Sequence, residues 1–355
     1  MTADVAPLKT DEAKPVDSSS IEKSLSELWR SENNDEHAVT RAALWNVVAH
    51  TANPRHHSLA SETLAKASKA VPQRAIVIRA ELDARSEITS WISSNCHLVS
   101  GEKQVCSEAV AIVAGGDRVR HIPPLVSALL IPDMPVAVWW LGDLPDEQAE
   151  YVATLLDPAD RLIVDSTEFN SPTDLVWLRQ ISQRTTTAPA DLNWVRLEDW
   201  RLATAAFFDP SAMRERLLEI TSLRIAATGD GSGLFGHSIE SLYYAAWINA
   251  QVAPGRMDEI ECKFDSEQVA EEPGALTKIH IGFSDGTEAT IMRDTERHVL
   301  VAAFGGQKLT IDCVTRFRGR GPEDLIVRQL KRPEADRVFV KSLPIATALA
   351  ARLPA

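Results

Sequence analysis

The sequence predicts an α/β protein: an N-terminal mixed sheet with helices on both faces, followed by a smaller α+β domain with an antiparallel meander. Three observations carry this. Strand-like and helix-like runs alternate from residue 42 to residue 183. Several of the strand-like runs are apolar throughout, as in AIVI at 75–78, VAVWW at 136–140 and LIV at 162–164, which suits strands covered on both sides. Beyond residue 222 the strand-like runs follow one another with glycine turns between them.

A chain of 355 residues is comfortable for two domains. The boundary is placed near residue 210, giving domains 21–210 and 211–355. Residues 1–20 read as a disordered tail, because Asp, Glu, Lys, Pro and Ser outnumber large apolar groups there. Ile21–Arg30 then carries Ile21, Leu25, Leu28 and Trp29 at helical spacing. The runs 42–49, 74–81, 89–98, 104–113, 135–140 and 161–165 are read as strands. A turn around Gly101 joins the third and fourth, so part of the sheet is antiparallel. Helices are expected at 59–70, 122–131, 146–156 and 174–183, and residues 191–208 read as mostly helical.

In the second half, 222–228 is read as a strand and 238–251 as a helix. Five strands follow, at 258–264, 276–283, 288–293, 298–304 and 308–314. Asp285-Gly286 suits a type I′ turn with both residues at positive φ, and Gly305-Gly306 joins the next pair. Pro322–Lys331 reads as a helix opened by Gly321-Pro322, and Ile345–Leu353 as a short final helix.

Composition excludes some partners. The formal net charge of −13 repels phosphate backbones, which argues against nucleic acid. The N-terminus lacks an apolar secretory stretch. The longest apolar run, 123–141, is interrupted by Pro132, Asp133 and Pro135, which argues against a membrane span. A cytoplasmic protein is the expectation.

The four cysteines, Cys96, Cys106, Cys262 and Cys313, include no Cys-x-x-Cys pair, so a zinc ribbon is not expected. Two readings stand: free thiols in a reducing compartment, or a redox pair of Cys96 and Cys106 on successive strands. His56-His57 reads as a solvated loop without the partners a metal needs. Asp157-Pro158 reads as a turn, with Asp160 and Asp165 solvated. Neither a nucleophile elbow nor a zincin motif is found.

Gly231–Gly236 is a literal G-x-G-x-x-G between a strand and a helix, the pattern that lets backbone N–H groups approach a pyrophosphate. Asp230 beside it repels phosphate, and the strands that follow are not a βαβ crossover. A surface loop is the simpler reading; a nucleotide- or sugar-phosphate-binding enzyme or sensor is the alternative. Tryptophan is the unusual residue, nine against three tyrosines. Trp139 and Trp140 face opposite sides of a strand. Trp194 and Trp200 alternate with Arg196 and Arg201, and Trp and Arg dominate binding hot spots. Core packing and an interface anchor both fit them.

Four segments, in order, resemble one family. Gln73–Ile78 (QRAIVI) is similar to its S-R-x-I-V-L strand and Gln104–Glu108 (QVCSE) to its Q-V-C-x-E strand. Pro132–Gly142 (PDMPVAVWWLG) is similar to P-D-L-P-V-x-x-W-W-x-G, and Asp191–Arg201 (DLNWVRLEDWR) to D-L-N-W-x-R-L-x-x-W-R. The family is OpcA, the glucose-6-phosphate dehydrogenase assembly proteins. The match is clear through residue 205, and beyond it rests on element order. The resemblance implies a non-catalytic partner of glucose-6-phosphate dehydrogenase, acting in its assembly or allosteric activation in the oxidative pentose phosphate pathway. It supplies no catalytic residue, metal or cofactor. It points to Trp194, Arg196, Trp200 and Arg201 as the partner-binding segment. It also implies thioredoxin-linked redox control, which strengthens the redox reading of Cys106.

Overall fold

The computed structural model describes every residue except 1–13, 16–17, 33–38, 101–102, 145–149, 230–237, 253–258, 268–273, 305–306, 310–319, 333 and 354–355. Most of the N-terminal tail, the turn at Gly101, the glycine pattern Gly231–Gly236, the Gly305-Gly306 turn and Cys313 therefore lie outside the described residues.

Along the chain, β1 (Lys14–Pro15) and α1 (Ser18–Glu32) precede β2 (Val39–Arg41), β3 (Trp45–Thr51), α2 (Pro54–Ala67) and β4 (Gln73–Glu81). The hairpin β5 (Ile88–Ser100) and β6 (Lys103–Gly115) leads to α3 (Ile122–Leu129), β7 (Val136–Trp140), α4 (Glu150–Leu156) and β8 (Arg161–Val164). Then come α5 (Leu175–Arg184), β9 (Ala188–Asp191), α6 (Leu192–Arg196), α7 (Glu198–Phe208), α8 (Ser211–Glu215), β10 (Ile220–Thr228) and α9 (Ile239–Val252). The chain continues through β11 (Glu261–Glu267), β12 (Leu276–Phe283), β13 (Glu288–Asp294), β14 (Val299–Phe304), β15 (Gln307–Leu309), α10 (Pro322–Leu330) and α11 (Arg337–Ala350). Among the described residues no helix is long and apolar enough to cross a membrane.

By packing, the chain forms two compact units. One comprises 1–164, 182–189 and 321–333; the other comprises 165–181, 190–320 and 334–355. Both are discontinuous in sequence, which a single cut near residue 210 does not describe.

The first unit holds the larger sheet, ordered β1-β5-β6-β4-β3-β7-β8-β9, with β2 also on β6. Strands β4, β3, β7 and β8 are parallel, and β5 and β6 are antiparallel. Thus the mixed sheet predicted from the sequence is present. Strands β3, β7 and β8 are buried along their whole length, so both faces are covered at the centre, as their continuous apolar runs require. The strand expected at 42–49 starts later, at Trp45, and Leu44 before it is exposed. Helix α1 is fastened through a buried carboxylate. Glu108 accepts from Trp29 Nε1 at 2.9 Å, from Arg41 at 2.7 Å and from Arg74, and these cations and donors hold its carboxyl below the usual range despite burial. Helix α10 also belongs here: it packs on α2, and Arg161 donates to the Gln329 carbonyl.

The second unit holds the smaller sheet, ordered β11-β10-β12-β13-β14-β15. The antiparallel meander runs from β12 to β15. The first of the five strands expected there is different: β11 lies parallel to β10. Helix α9 intervenes between them, and such a crossover returns the chain in the same direction. The turn at Asp285-Gly286 is also different. Only Gly286 has positive φ, +82°, and the Gly286 N–H donates to the Phe283 carbonyl at 2.9 Å. This is a three-residue loop with glycine in the left-handed position, and the Asp285 carboxylate accepts from the Thr287 N–H and hydroxyl. The final helix starts well before Ile345. Asp336 caps α11 by accepting from the N–H groups of Val338 and Phe339, and Pro344 sits inside it rather than before it. Phe339, Leu343, Ala346 and Ala350 form the buried seam that outweighs the hydrogen bond lost at proline.

Candidate functional site

The segment Asp191–Arg201 lies wholly within the second unit from Ala190 onward, so its neighbourhood is built from residues of that unit. Asp191 ends β9 and caps α6, accepting from the Asn193 N–H at 2.8 Å and from the Ser166 N–H at 3.1 Å. Its other oxygen accepts from the Tyr243 hydroxyl at 2.6 Å. Asp191 is fully buried, and burial, helped by the neighbouring Asp165 charge, pushes its carboxyl up to about 6. The same burial and the Asp191 charge push the Tyr243 hydroxyl well above its ordinary value.

One turn on, Trp194 is 1% exposed. Its ring meets Tyr243 edge-on at 5.8 Å and Phe339 at 5.3 Å, and its Nε1 donates to Asp336 at 3.0 Å. The Arg201 guanidinium stacks over the same indole, 3.7 Å from its centre. Arg196 donates a two-pronged pair of hydrogen bonds to both oxygens of Asp165, each 2.7 Å. Trp200 is also 1% exposed. Its carbonyl accepts from Thr204, whose hydroxyl also meets that of Tyr244 at 2.7 Å. Arg320 donates to buried Asp199 and to the Val195 carbonyl.

Of the four residues singled out from the sequence, Trp194 and Arg201 are brought into contact, Arg196 faces Asp165, and Trp200 packs separately. Both tryptophans are core side chains. At the surface, the segment and the residue after it offer Leu202, 51% exposed, with Arg196, Glu198 and Arg201 partly exposed. Sequence reasoning missed three of the residues that hold it, Tyr243, Asp336 and Arg320, and read the fourth, Asp165, as solvated. Their distances along the chain give no local signal. One expectation is corrected: Asp165 is not solvated but paired with Arg196. Asp160 is exposed as expected, and its carboxylate accepts from the Val136 N–H at 2.8 Å.

In the first unit, Cys96 and Cys106 sit directly opposite each other on β5 and β6 and form a disulfide. The reading of all four cysteines as free thiols is therefore corrected. The antiparallel register brings the pair into bonding range. Cys106 is fully buried and Cys96 is partly exposed. Cys262 is a free thiol, raised by burial. His56 and His57 are not in a loop; they form the first turn of α2. Among the described residues no three His, Cys, Asp or Glu side chains cluster as metal ligands would.

Comparison with known proteins then decides the family. Residues 65–181 match the model described as glucose-6-phosphate dehydrogenase subunit N-terminal domain, and residues 187–343 match the corresponding C-terminal domain. The chain belongs to the OpcA family. The OpcA relatives include the putative OxPP cycle protein OpcA of Synechocystis sp., 26% identical over 313 residues, covering 78% of this chain and 63% of the relative. That of Synechococcus elongatus is 32% identical over 186 residues, covering 51% of this chain and 40% of the relative. The chain thus spans less than two thirds of the length of these curated OpcA relatives. A solved NAD-binding oxidoreductase from Klebsiella pneumoniae is 11% identical, with a TM-score of 0.43 over 87% of this chain and 96% of that one. A likeness at that level carries no argument about function.

Proposed function

We propose that this OpcA-family chain is a non-catalytic cytoplasmic regulator that binds glucose-6-phosphate dehydrogenase and promotes its assembly or activates it allosterically. The observation that carries the reading is the match of both halves of the chain to domains described as glucose-6-phosphate dehydrogenase subunit domains. Such a regulator acts only through the difference in its affinity for two states of the dehydrogenase. It needs a surface of fixed shape. The segment 191–202 supports such a role: its aromatic side chains are locked into the core, which fixes the directions of Arg196, Arg201 and Leu202 at the surface.

In this reading Arg196, Arg201 and Leu202 touch the partner, while Trp194 and Trp200 position them. The disulfide adds a redox input, with a dithiol reductant of the thioredoxin kind attacking the more accessible Cys96. Titrating the dehydrogenase with this chain, while following its sugar-phosphate KM and its oligomeric state, tests the central claim. Unchanged values at saturating excess overturn it. Equal affinity of the oxidised and reduced chains overturns the redox input alone.

A further inference from the structure

We propose that the edge of the first unit's parallel sheet at the ends of β3 and β7 binds a small ligand with a single phosphate and a polar, hydrogen-bonding organic part. The topology selects this edge. From β3 the chain crosses through α2 to β4 on one side, whereas β7, entered later through α3, lies on the other. Where connections leave in opposite directions, the carboxyl ends of parallel strands leave a crevice in which ligands of α/β proteins bind.

Two independent features sit at that edge. The first is the start of α2. Its opening turn, Pro54-Arg55-His56-His57, carries no acid, although the positive end of a helix dipole favours acids and disfavours cations. Arg55 is exposed and forms no ion pair among the described residues. Asn53 caps the turn, accepting from the Arg55 N–H with its side chain at 2.8 Å and from the His57 N–H with its carbonyl at 3.0 Å, so an anion here would be held by the Arg55 guanidinium in the field of the helix start. The second is His50, the penultimate residue of β3. It is 2% exposed, and neither ring nitrogen has a hydrogen-bond partner. A buried donor and acceptor left unmatched are costly and call for an explanation.

The turn after β7 brings the two features together. The His50 ring stacks on Trp140, centroids 4.1 Å apart. Two residues on, the His56 ring packs against Gly142, whose φ is +85°; a Cβ there would lie 3.1 Å from His56 Nδ1. Tyr151, half-buried at the start of α4, stands 5.9 Å from His50 and covers it.

The ligand's chemistry follows. The phosphate would sit at the first turn of α2 with Arg55. His50, held neutral by burial, offers one N–H and one lone pair to a hydroxyl or amide of the organic part, once Tyr151 swings aside. A dinucleotide does not fit, because close approach of a pyrophosphate needs glycines between strand and helix, and this turn is Thr51-Ala52-Asn53-Pro54.

The test is thermal unfolding of the full chain with inorganic phosphate, glycerol 3-phosphate, ribose 5-phosphate and unphosphorylated ribose, each at roughly 10 mM, since a ligand of the folded form raises Tm. Both monoesters should raise Tm more than inorganic phosphate does, and ribose should leave it unchanged. Arg55→Ala should weaken the monoesters by about tenfold, the effect of losing one charge-assisted contact. His50→Phe keeps the stack on Trp140 but removes both nitrogens. It should raise Tm without ligand and erase the advantage of the monoesters over inorganic phosphate, a pair of opposite effects that a purely structural histidine would not give. No Tm rise with any phosphate compound, or a rise unchanged in both variants, overturns the proposal. If His50→Phe does not fold, the exposed Arg55→Ala decides alone. The dehydrogenase is absent from this experiment, so its outcome is independent of the reading of the partner.

Discussion

Asp191 and His50 are both buried titratable side chains, and burial moves them in opposite directions, up to about 6 and down to about 4. Asp191 is raised in the fold, so its contribution to stability is present below pH 4 and is lost as the pH rises through about 6. His50 is lowered in the fold, so its contribution is present above pH 6.5 and is lost as the pH falls through about 4. Each shift corresponds to about 3 kcal/mol. Urea unfolding followed between pH 4 and 7 should therefore show Asp191→Asn stabilised relative to the parent as pH rises, and His50→Phe stabilised relative to it as pH falls. Parallel curves for parent and variant would contradict the assignment. Arg196 supplies a second check at this scale. Removing it leaves Asp165 unpaired beside Asp191, so Arg196→Ala should cost about 2 kcal/mol and push the Asp191 carboxyl further up.

At the scale of elements, α7 and its neighbours separate packing from contact. Trp200→Ala should cost about 3–5 kcal/mol, as removal of a buried indole does, and should weaken partner binding only through that loss. Leu202→Glu should leave the melting temperature nearly unchanged and weaken dehydrogenase binding at least tenfold. A variant that binds like the parent would remove this surface from the proposal. The hairpin β5–β6 offers a third comparison: Cys96→Ser with Cys106→Ser should lower stability by about 2–3 kcal/mol, the loop-closure contribution of a short disulfide loop. Elements of this kind were the most legible from sequence. Strands such as β4 and β7 announced themselves because both their faces are apolar, and helix α2 fell within a few residues. What failed had two causes. The parallel placement of β11 depends on β10, distant in sequence, whereas the turn at Gly286 and the start of α11 are set by local hydrogen bonds of Asp285 and Asp336 that residue type alone does not reveal. The candidate segment was visible as a Trp/Arg rhythm, but the burial of its tryptophans was not. Burial depends on Tyr243 and Phe339, which lie far along the chain.

Considered whole, the molecule carries a net charge of −13, and association with a dehydrogenase through Arg196 and Arg201 runs against that overall sign. Local attraction at these guanidinium groups would compete with long-range repulsion from an acidic partner, and both are screened by salt. If repulsion governs the encounter, association should quicken as ionic strength rises from 20 to about 200 mM, where the Debye length falls below about 10 Å. Slowing would show that the two arginines steer it. The two units also respond oppositely to acid through Asp191 and His50, so near pH 5 unfolding is expected to depart from a single transition.

The return of α10 to the first unit has a consequence for biosynthesis. The carbonyl that receives Arg161 belongs to Gln329, and the ribosome must translate residues 165–320 before it is made. At ordinary translation rates that is a wait on the order of ten seconds. During that interval the nascent first unit lacks both α10 against α2 and the Gln329 carbonyl that Arg161 donates to. It is an incomplete body tethered to a growing second one, and chaperones would meet it in that form. A nascent chain stalled after Arg320 should therefore be more sensitive to protease within 1–164 than one stalled after Ala350.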